Sequence, residues 1–263
     1  MSIWYLLKNF FTHKDYLLPA DQIWGTMFTP LHFTFSAMVL AAIIWLAIGM
    51  RKKPEERIRR IFALLWAMVT VLEIVKIVWE STSGKTVGIE WGGILPLYPC
   101  SIFMYAMPFA IWGKGFVRKA ACGYVCTLGL LGASINFVYP ATILGNYSCI
   151  SFAGFHTFFY HGTMLFVCLS MLLSGYHRYN AMHKWWELVL PAVPTLIVSI
   201  PANLVNFSKI GSDYMFFKGN SFFLPAILGG LSDTATVLVI YLLYILVPAL
   251  FYLPGLLKNR KES

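Results

Sequence analysis

Charge is what this chain has least of. Of its 263 residues only 12% are Asp, Glu, Lys or Arg, about half the share usual in a soluble domain. With so little charge and 59% hydrophobic residues, a water-facing globule is excluded. The composition predicts an all-α, polytopic membrane protein. Other things are missing too. There is no CxxC pair and no histidine-rich run, so neither a metal nor another cofactor is expected. No repeat, low-complexity stretch or soluble domain interrupts the chain. Residues 1–29 lack the apolar core and small-residue cleavage site of a signal peptide. Aromatics and leucines around Lys8 make them read instead as an interfacial segment. The five cysteines, Cys100, Cys122, Cys126, Cys149 and Cys168, are an odd set lying mostly in apolar stretches. Cys122 and Cys126, four apart, read as small packing residues rather than metal ligands.

What is present is a series of apolar runs, each near the roughly 20 residues needed to cross a bilayer. Seven spans are expected: Pro30 to Met50, Ile58 to Glu80, Gly93 to Trp112, Lys119 to Ile143, Ser151 to Gly175, Trp185 to Asn206, and Leu228 to Leu253. They make a transmembrane domain over 30–257, followed by a basic tail over 258–263. The net charge of +9 need not signal a nucleic acid, because the basic residues flank spans. One set of loops holds fourteen Lys and Arg, including Arg51, Lys52, Lys53, Arg118, Lys119 and Arg178, against five on the other side (Lys8, Lys14, Lys85, Lys209 and Lys218). That asymmetry predicts an outward N-terminus and a cytoplasmic C-terminus, in a multi-pass protein of the cell membrane.

The intramembrane polar residues then fall in the outer halves of the spans. They are His32 in the first, Glu73 and Lys76 in the second, Asn136 late in the fourth, His156 and His161 in the fifth, Asn203 and Asn206 late in the sixth, and Asp233 early in the seventh. Each ionisable group in hydrocarbon costs at least about 2.5 kcal/mol unless it finds a partner or water. Gathered at one level, they predict a shared cavity opening outward or into the outer leaflet.

Cys100 lies in Leu95-Pro96-Leu97-Tyr98-Pro99-Cys100, about 10 Å into its span at helical rise. The two prolines remove amide donors and break or kink the helix. Such backbone is tolerated in a membrane where it is buried or lines a cavity. His161 follows Tyr160 at about 15 Å depth on its own span. A histidine within reach of the thiol would take its proton, and the thiolate would attack an acyl ester. Plainer readings stand beside this one: a buried cysteine at a packing kink, a histidine satisfied in the core, and Glu73 and Lys76 neutralising each other. Glu73 or Asp233 are candidates to orient the imidazole. Asn203 and Asn206 are candidate oxyanion donors, or partners for frayed backbone, and Asp233 is also a candidate helix cap.

The chain resembles the bacterial YwaF-like integral membrane proteins, which are related to the eukaryotic transmembrane-protein-164 acyltransferases. The likeness rests on Leu95-Pro96-Leu97-Tyr98-Pro99-Cys100, on Tyr160-His161-Gly162, and on the Asn203 segment leading to Asp213-Tyr214-Met215-Phe216. It implies acyl transfer between phospholipids, with Cys100 as nucleophile and His161 as base. Tyr98, Asp213 and Tyr214 join His32, Lys76, Asn136, His156 and Asn206 as expected cavity residues. The expected partners are a phospholipid or lysophospholipid and the bilayer. A lipid ester hydrolase is the nearest alternative. A small-molecule transporter or binding protein with Glu73, Lys76 and Asp233 at its polar centre is the alternative from another class.

Overall fold

A computed structural model describes residues 3–19, 22–85, 94–208, 213–219 and 224–261. The protein is 75% helical, with no strand among the described residues. After a short α1 (Ile3–Lys8) come α2 (Pro30–Ile48) and α3 (Glu55–Ser83). Next are α4 (Ile102–Trp112), α5 (Gly115–Tyr124), α6 (Leu130–Val138) and the single turn α7 (Ala141–Leu144). The chain closes with α8 (Phe152–Ser174), α9 (Val193–Asn206), a short α10 (Leu224–Leu228) and α11 (Asp233–Lys261). Among the described residues six helical stretches are long and apolar enough to cross a membrane, and a seventh, Pro99–Trp112, is shorter. Their outward faces carry Trp45, Leu64, Leu204 and Leu250, all exposed, as lipid-facing surfaces require.

Local chemistry sets where these helices start and stop. Thr29 caps α2 through its hydroxyl, with Pro30 in the first turn, where a missing N–H costs nothing. Ser151 Oγ accepts the N–H of Gly154 to cap α8, which ends at Gly175 with φ +75°, a left-handed turn suited to glycine. Trp185–Ala192 winds as a 3₁₀ helix before α9, because Pro191 and Pro194 withhold amides from the α-helical ladder. Between α5 and α6, residues Val125–Gly129 form a π-helical turn, and Tyr179 Oη donates to the Cys126 carbonyl there at 2.8 Å. Such turns free a backbone carbonyl for an outside partner.

The seventh expected span begins at Asp233 rather than Leu228, and the third differs most. Its helix begins only at Pro99, as a 3₁₀ turn over Pro99–Ser101 that runs into α4. Counting from Pro99 to Trp112, it rises about 21 Å, short of a hydrocarbon core of about 30 Å. Pro99 withholds the amide that would meet the Leu95 carbonyl in a helix, and that carbonyl takes the Leu97 amide at 2.8 Å in a tight turn instead, so the chain enters bent and non-helical as far as Tyr98. Gly93 lies outside the described residues.

α8 is the most enclosed span and packs against α2, α3 and α6. The two ends of the bundle are chemically distinct. At one end Glu55 pairs with Arg118 at 2.7 Å and Lys119 with Glu187 at 3.0 Å, while Asn259 donates to the Asn180 carbonyl at 2.9 Å. This end collects the basic loops. At the other end Tyr147 Oη accepts from the Lys14 amide at 3.1 Å and Tyr214 Oη from the Leu95 amide at 2.9 Å.

Gly123 on α5 faces Pro191, whose Cα would lie 3.2 Å and Cγ 2.8 Å from an added Cβ. Gly132 on α6 has open space there. Gly123→Ala should therefore destabilise the bundle by about 1–3 kcal/mol. Gly132→Ala should be neutral or gain up to about 1 kcal/mol of helix propensity. Thermal unfolding of the two variants in one detergent checks the contrast.

Candidate functional site

At the end away from the basic loops the bundle holds a cavity of about 580 Å³. Four stretches of the bundle supply most of its polar lining. α3 presents Glu73, Lys76 and Glu80, spaced three and four apart so that they share one face. The non-helical entry to α4 presents Tyr98, and its first turn Cys100 and Ser101. α6 gives Asn136, and α8 gives His156, Thr157, Tyr160 and His161. Of the expected cavity residues, the structure thus brings together Cys100, His161, Glu73, Lys76, Tyr98, Asn136 and His156.

Two phenols fix the start of α4. Tyr124 Oη donates to the Pro99 carbonyl, and Tyr160 Oη donates to the Cys100 carbonyl at 3.3 Å. Cys100, half-buried, therefore sits on a tethered helix start. Its backbone N–H makes no backbone bond among the described residues. Amides at a helix start carry partial positive charge, which favours negative charge on a nearby sulfur or oxygen.

His161 is buried. Its Nδ1 donates to the Thr157 carbonyl at 2.8 Å, and the Thr157 hydroxyl lies 3.4 Å away. Thr157 Oγ1 in turn reaches Asn136 Oδ1 at 3.5 Å. Donation from Nδ1 leaves Nε2 as the lone-pair nitrogen, and Nε2 has no hydrogen bond within the protein among the described residues. No hydrogen bond joins His161 to the Cys100 sulfur among them either.

Glu73, expected beside His161, instead bridges two other groups. Its Oε1 accepts from Lys76 Nζ at 2.8 Å, and its Oε2 lies 2.9 Å from His156 Nε2. The second approach is oblique to the ring N–H, so it is a close polar contact rather than an aligned hydrogen bond. A carboxylate this deep needs both partners.

The remaining expected residues lie elsewhere. Asn203 Nδ2 donates to Tyr241 Oη at 2.7 Å, linking α9 to α11 rather than facing the cavity. Asp233 is exposed at the start of α11, where Ser232 Oγ accepts the Ala235 amide instead. His32 is buried against Phe158, and its Nδ1 accepts from the Phe28 amide at 3.2 Å. Asn206 clamps Tyr214 with two 2.7 Å bonds, to its amide and its carbonyl. Asp213 Oδ1 accepts the Lys218 amide at 2.8 Å. Together these two hold a turn in which Met215 and Phe216 take φ of 58° and 60°, costly for side chains of that size. The turn brings Phe216 to the cavity and sets Tyr214 against Tyr98, with ring centres 5.0 Å apart. Asn206, Asp213 and Tyr214 are thus supports of the wall.

Among the described residues no group of three His, Cys, Asp or Glu side chains converges as metal ligands.

The chain matches the TMEM164 family over residues 27–257. It belongs to that family. No curated protein and no solved structure matches it.

The part of the cavity that sequence reasoning missed lies ahead of the family match. His13, Lys14 and Asp15 line its mouth. The segment is stitched down by Trp79 Nε1 donating to the Phe11 carbonyl at 2.9 Å and the Phe152 amide donating to the Phe10 carbonyl at 2.8 Å. Gly84, at the end of α3, has no Cβ to push against Asp15 Oδ2 at 3.2 Å or His13 Cε1 at 3.2 Å. A run of His, Lys and Asp after an apolar helix was the available signal, but only a partner on another element makes it a mouth.

The Lys85 amide donates to Asp15 Oδ2 at 3.0 Å, and it holds the carboxyl below its ordinary value of 3.8, helped by His13, Lys14 and Lys85. A depressed carboxyl stabilises above its unfolded value and loses that contribution as pH falls through the lowered one. The clasp should therefore stay closed at pH 5 and open only on acidification below about 4. Hydrogen exchange of residues 10–16 across this range reads it, and Asp15→Asn should raise their exchange already at pH 7.

Proposed function

We propose that this TMEM164-family protein is a membrane-embedded acyltransferase. It moves a fatty acyl chain from a phospholipid ester to a lysolipid or alcohol through a thioester on Cys100. The observation that carries this reading is that Cys100 and His161, from separate helices, line one cavity. About 580 Å³ is within the range of small-ligand sites. Leu95, Ile135, Ile143 and Leu224 give it apolar wall beside the polar cluster, which suits a molecule with a charged head and a fatty tail. The basic loops at the far end would face the cytoplasm, so the cavity would open toward the extracytoplasmic leaflet of the cell membrane.

In the first step His161 Nε2 takes the thiol proton and the Cys100 sulfur attacks the ester carbonyl. The negative oxygen meets the backbone N–H of Cys100 and the Asn136 side-chain amide, a role Asn203 cannot fill from its place on Tyr241. The C–O bond breaks, His161 gives the proton to the leaving lysolipid oxygen, and the acyl group remains on sulfur. An acceptor hydroxyl then attacks the thioester and restores the thiol. Water as acceptor makes the same cycle a hydrolase.

A transporter is the second reading, favoured by a helix that begins part-way across the membrane beside buried charges. The variants separate the two. Cys100→Ala should abolish acyl exchange between a labelled phospholipid and a lysophospholipid in proteoliposomes. His161→Gln should slow it by about 10²–10⁴-fold, and intact-mass analysis should find an acyl adduct on native Cys100. Undiminished exchange in Cys100→Ala refutes the thioester route.

A further inference from the structure

We infer that His156 and Glu73 form a second acid–base pair in the same cavity, serving the acceptor half of the reaction. The inference rests on the thioester reading above.

The two histidines of α8 are held in opposite senses. His161 is pinned through Nδ1 by the Thr157 carbonyl at 2.8 Å, which leaves Nε2 for chemistry. His156 is held through Nε2 by Glu73 Oε2 at 2.9 Å. With the neutral ring's proton on Nε2, toward the carboxylate, Nδ1 is the lone-pair nitrogen; it has no hydrogen bond within the protein among the described residues, and His156 lines the cavity. Lys76, 2.8 Å from the other carboxylate oxygen, keeps Glu73 ionised so that it can balance charge arriving on the imidazole. The residues are five apart on one helix, so their rings are offset by about 140° around it and by about 7.5 Å along it. They flank a substrate rather than compete for one position.

Acyl transfer needs a proton moved twice, from two different oxygen or sulfur atoms. In the second half-reaction the acceptor oxygen forms a bond to the thioester carbon while His156 Nδ1 takes its proton. The C–S bond breaks, and the proton passes from His156 to the Cys100 sulfur. Products are the new ester and the free thiol, and nothing else is consumed. A carboxylate beside an imidazole stabilises the imidazolium formed on the way. A filler contact would need no lone-pair nitrogen on a cavity-lining ring.

The test separates the halves by following the thioester on Cys100 with a labelled phospholipid donor, before and after adding lysophospholipid. His156→Gln should form the adduct at the native rate and discharge it about 100-fold more slowly, so that the adduct accumulates. His161→Gln should form little adduct at all. The assignment is overturned if folded His156→Gln discharges at the native rate, or if it loses adduct formation as His161→Gln does. Should His156→Gln unfold, the double variant Glu73→Gln/Lys76→Gln keeps the ring and removes its support. Native-rate discharge in that protein also overturns the assignment, and accumulation upholds it. Failure of the thioester reading looks different: native protein then shows no adduct on Cys100 under any condition.

Discussion

The architecture of the polar end depends on two absent hydrogen-bond donors. Pro96 and Pro99 cannot extend a helical ladder, so the chain reaches the level of Cys100 without helical structure and turns helical only there. Exposed amides and carbonyls in lipid cost several kcal/mol each, and the protein answers them individually. Tyr214 takes the Leu95 amide, and Tyr124 and Tyr160 bond the Pro99 and Cys100 carbonyls. A continuous helix would have filled the space in which those phenols and the cavity lie. The shortness of this one span creates the chamber and places a cysteine at a helix start facing it.

Charge is the second constraint, and it is met by triangulation. Glu73, Lys76 and His156 share two close contacts across α3 and α8, neutralising a group that the bilayer would otherwise oppose. Replacing such a cluster by apolar residues is often neutral or stabilising, so its presence is weak evidence for a stability role. Its position on a cavity wall favours a chemical one. The same logic separates Lys119–Glu187 and Glu55–Arg118, which sit at the basic end and fasten one helix end to the next.

Spans and the sidedness of polar residues were legible because the rules behind them are local. Apolar runs, proline positions and basic loops need no knowledge of neighbours. Cys100, His161, Glu73, Lys76, Asn136 and His156 share a level by helical rise alone, and they share a cavity. Pairings were not legible. Asn203, Asn206 and Asp233 sit at the same depth but on α9 and α11, whose polar atoms turn to Tyr241 and Tyr214 or to the surface. Depth is a one-dimensional coordinate, and rotation about each helix axis is fixed by packing. Glu73 choosing His156 over His161 is decided by that rotation, as is the retreat of His32 behind Phe158.

The mouth adds a step that neither depth nor packing of the spans foretells. Residues 27–257 match the family and build the chamber walls, whereas His13, Lys14 and Asp15 belong to the stretch before it and cover the polar end. A few bonds, through Trp79, Phe152 and Lys85, tie that stretch to the chamber walls, so its charged side chains are held at the polar end. On the proposed reading, a two-chain lipid entering between helices would not have to leave the bilayer, and its ester would reach Cys100 with its tails still in hydrocarbon. Charged groups at the rim, from that stretch and from α3, would meet the head of such a lipid while the chain-facing wall stays apolar. The chamber would thus sort its substrate by orientation before any group on it reacts.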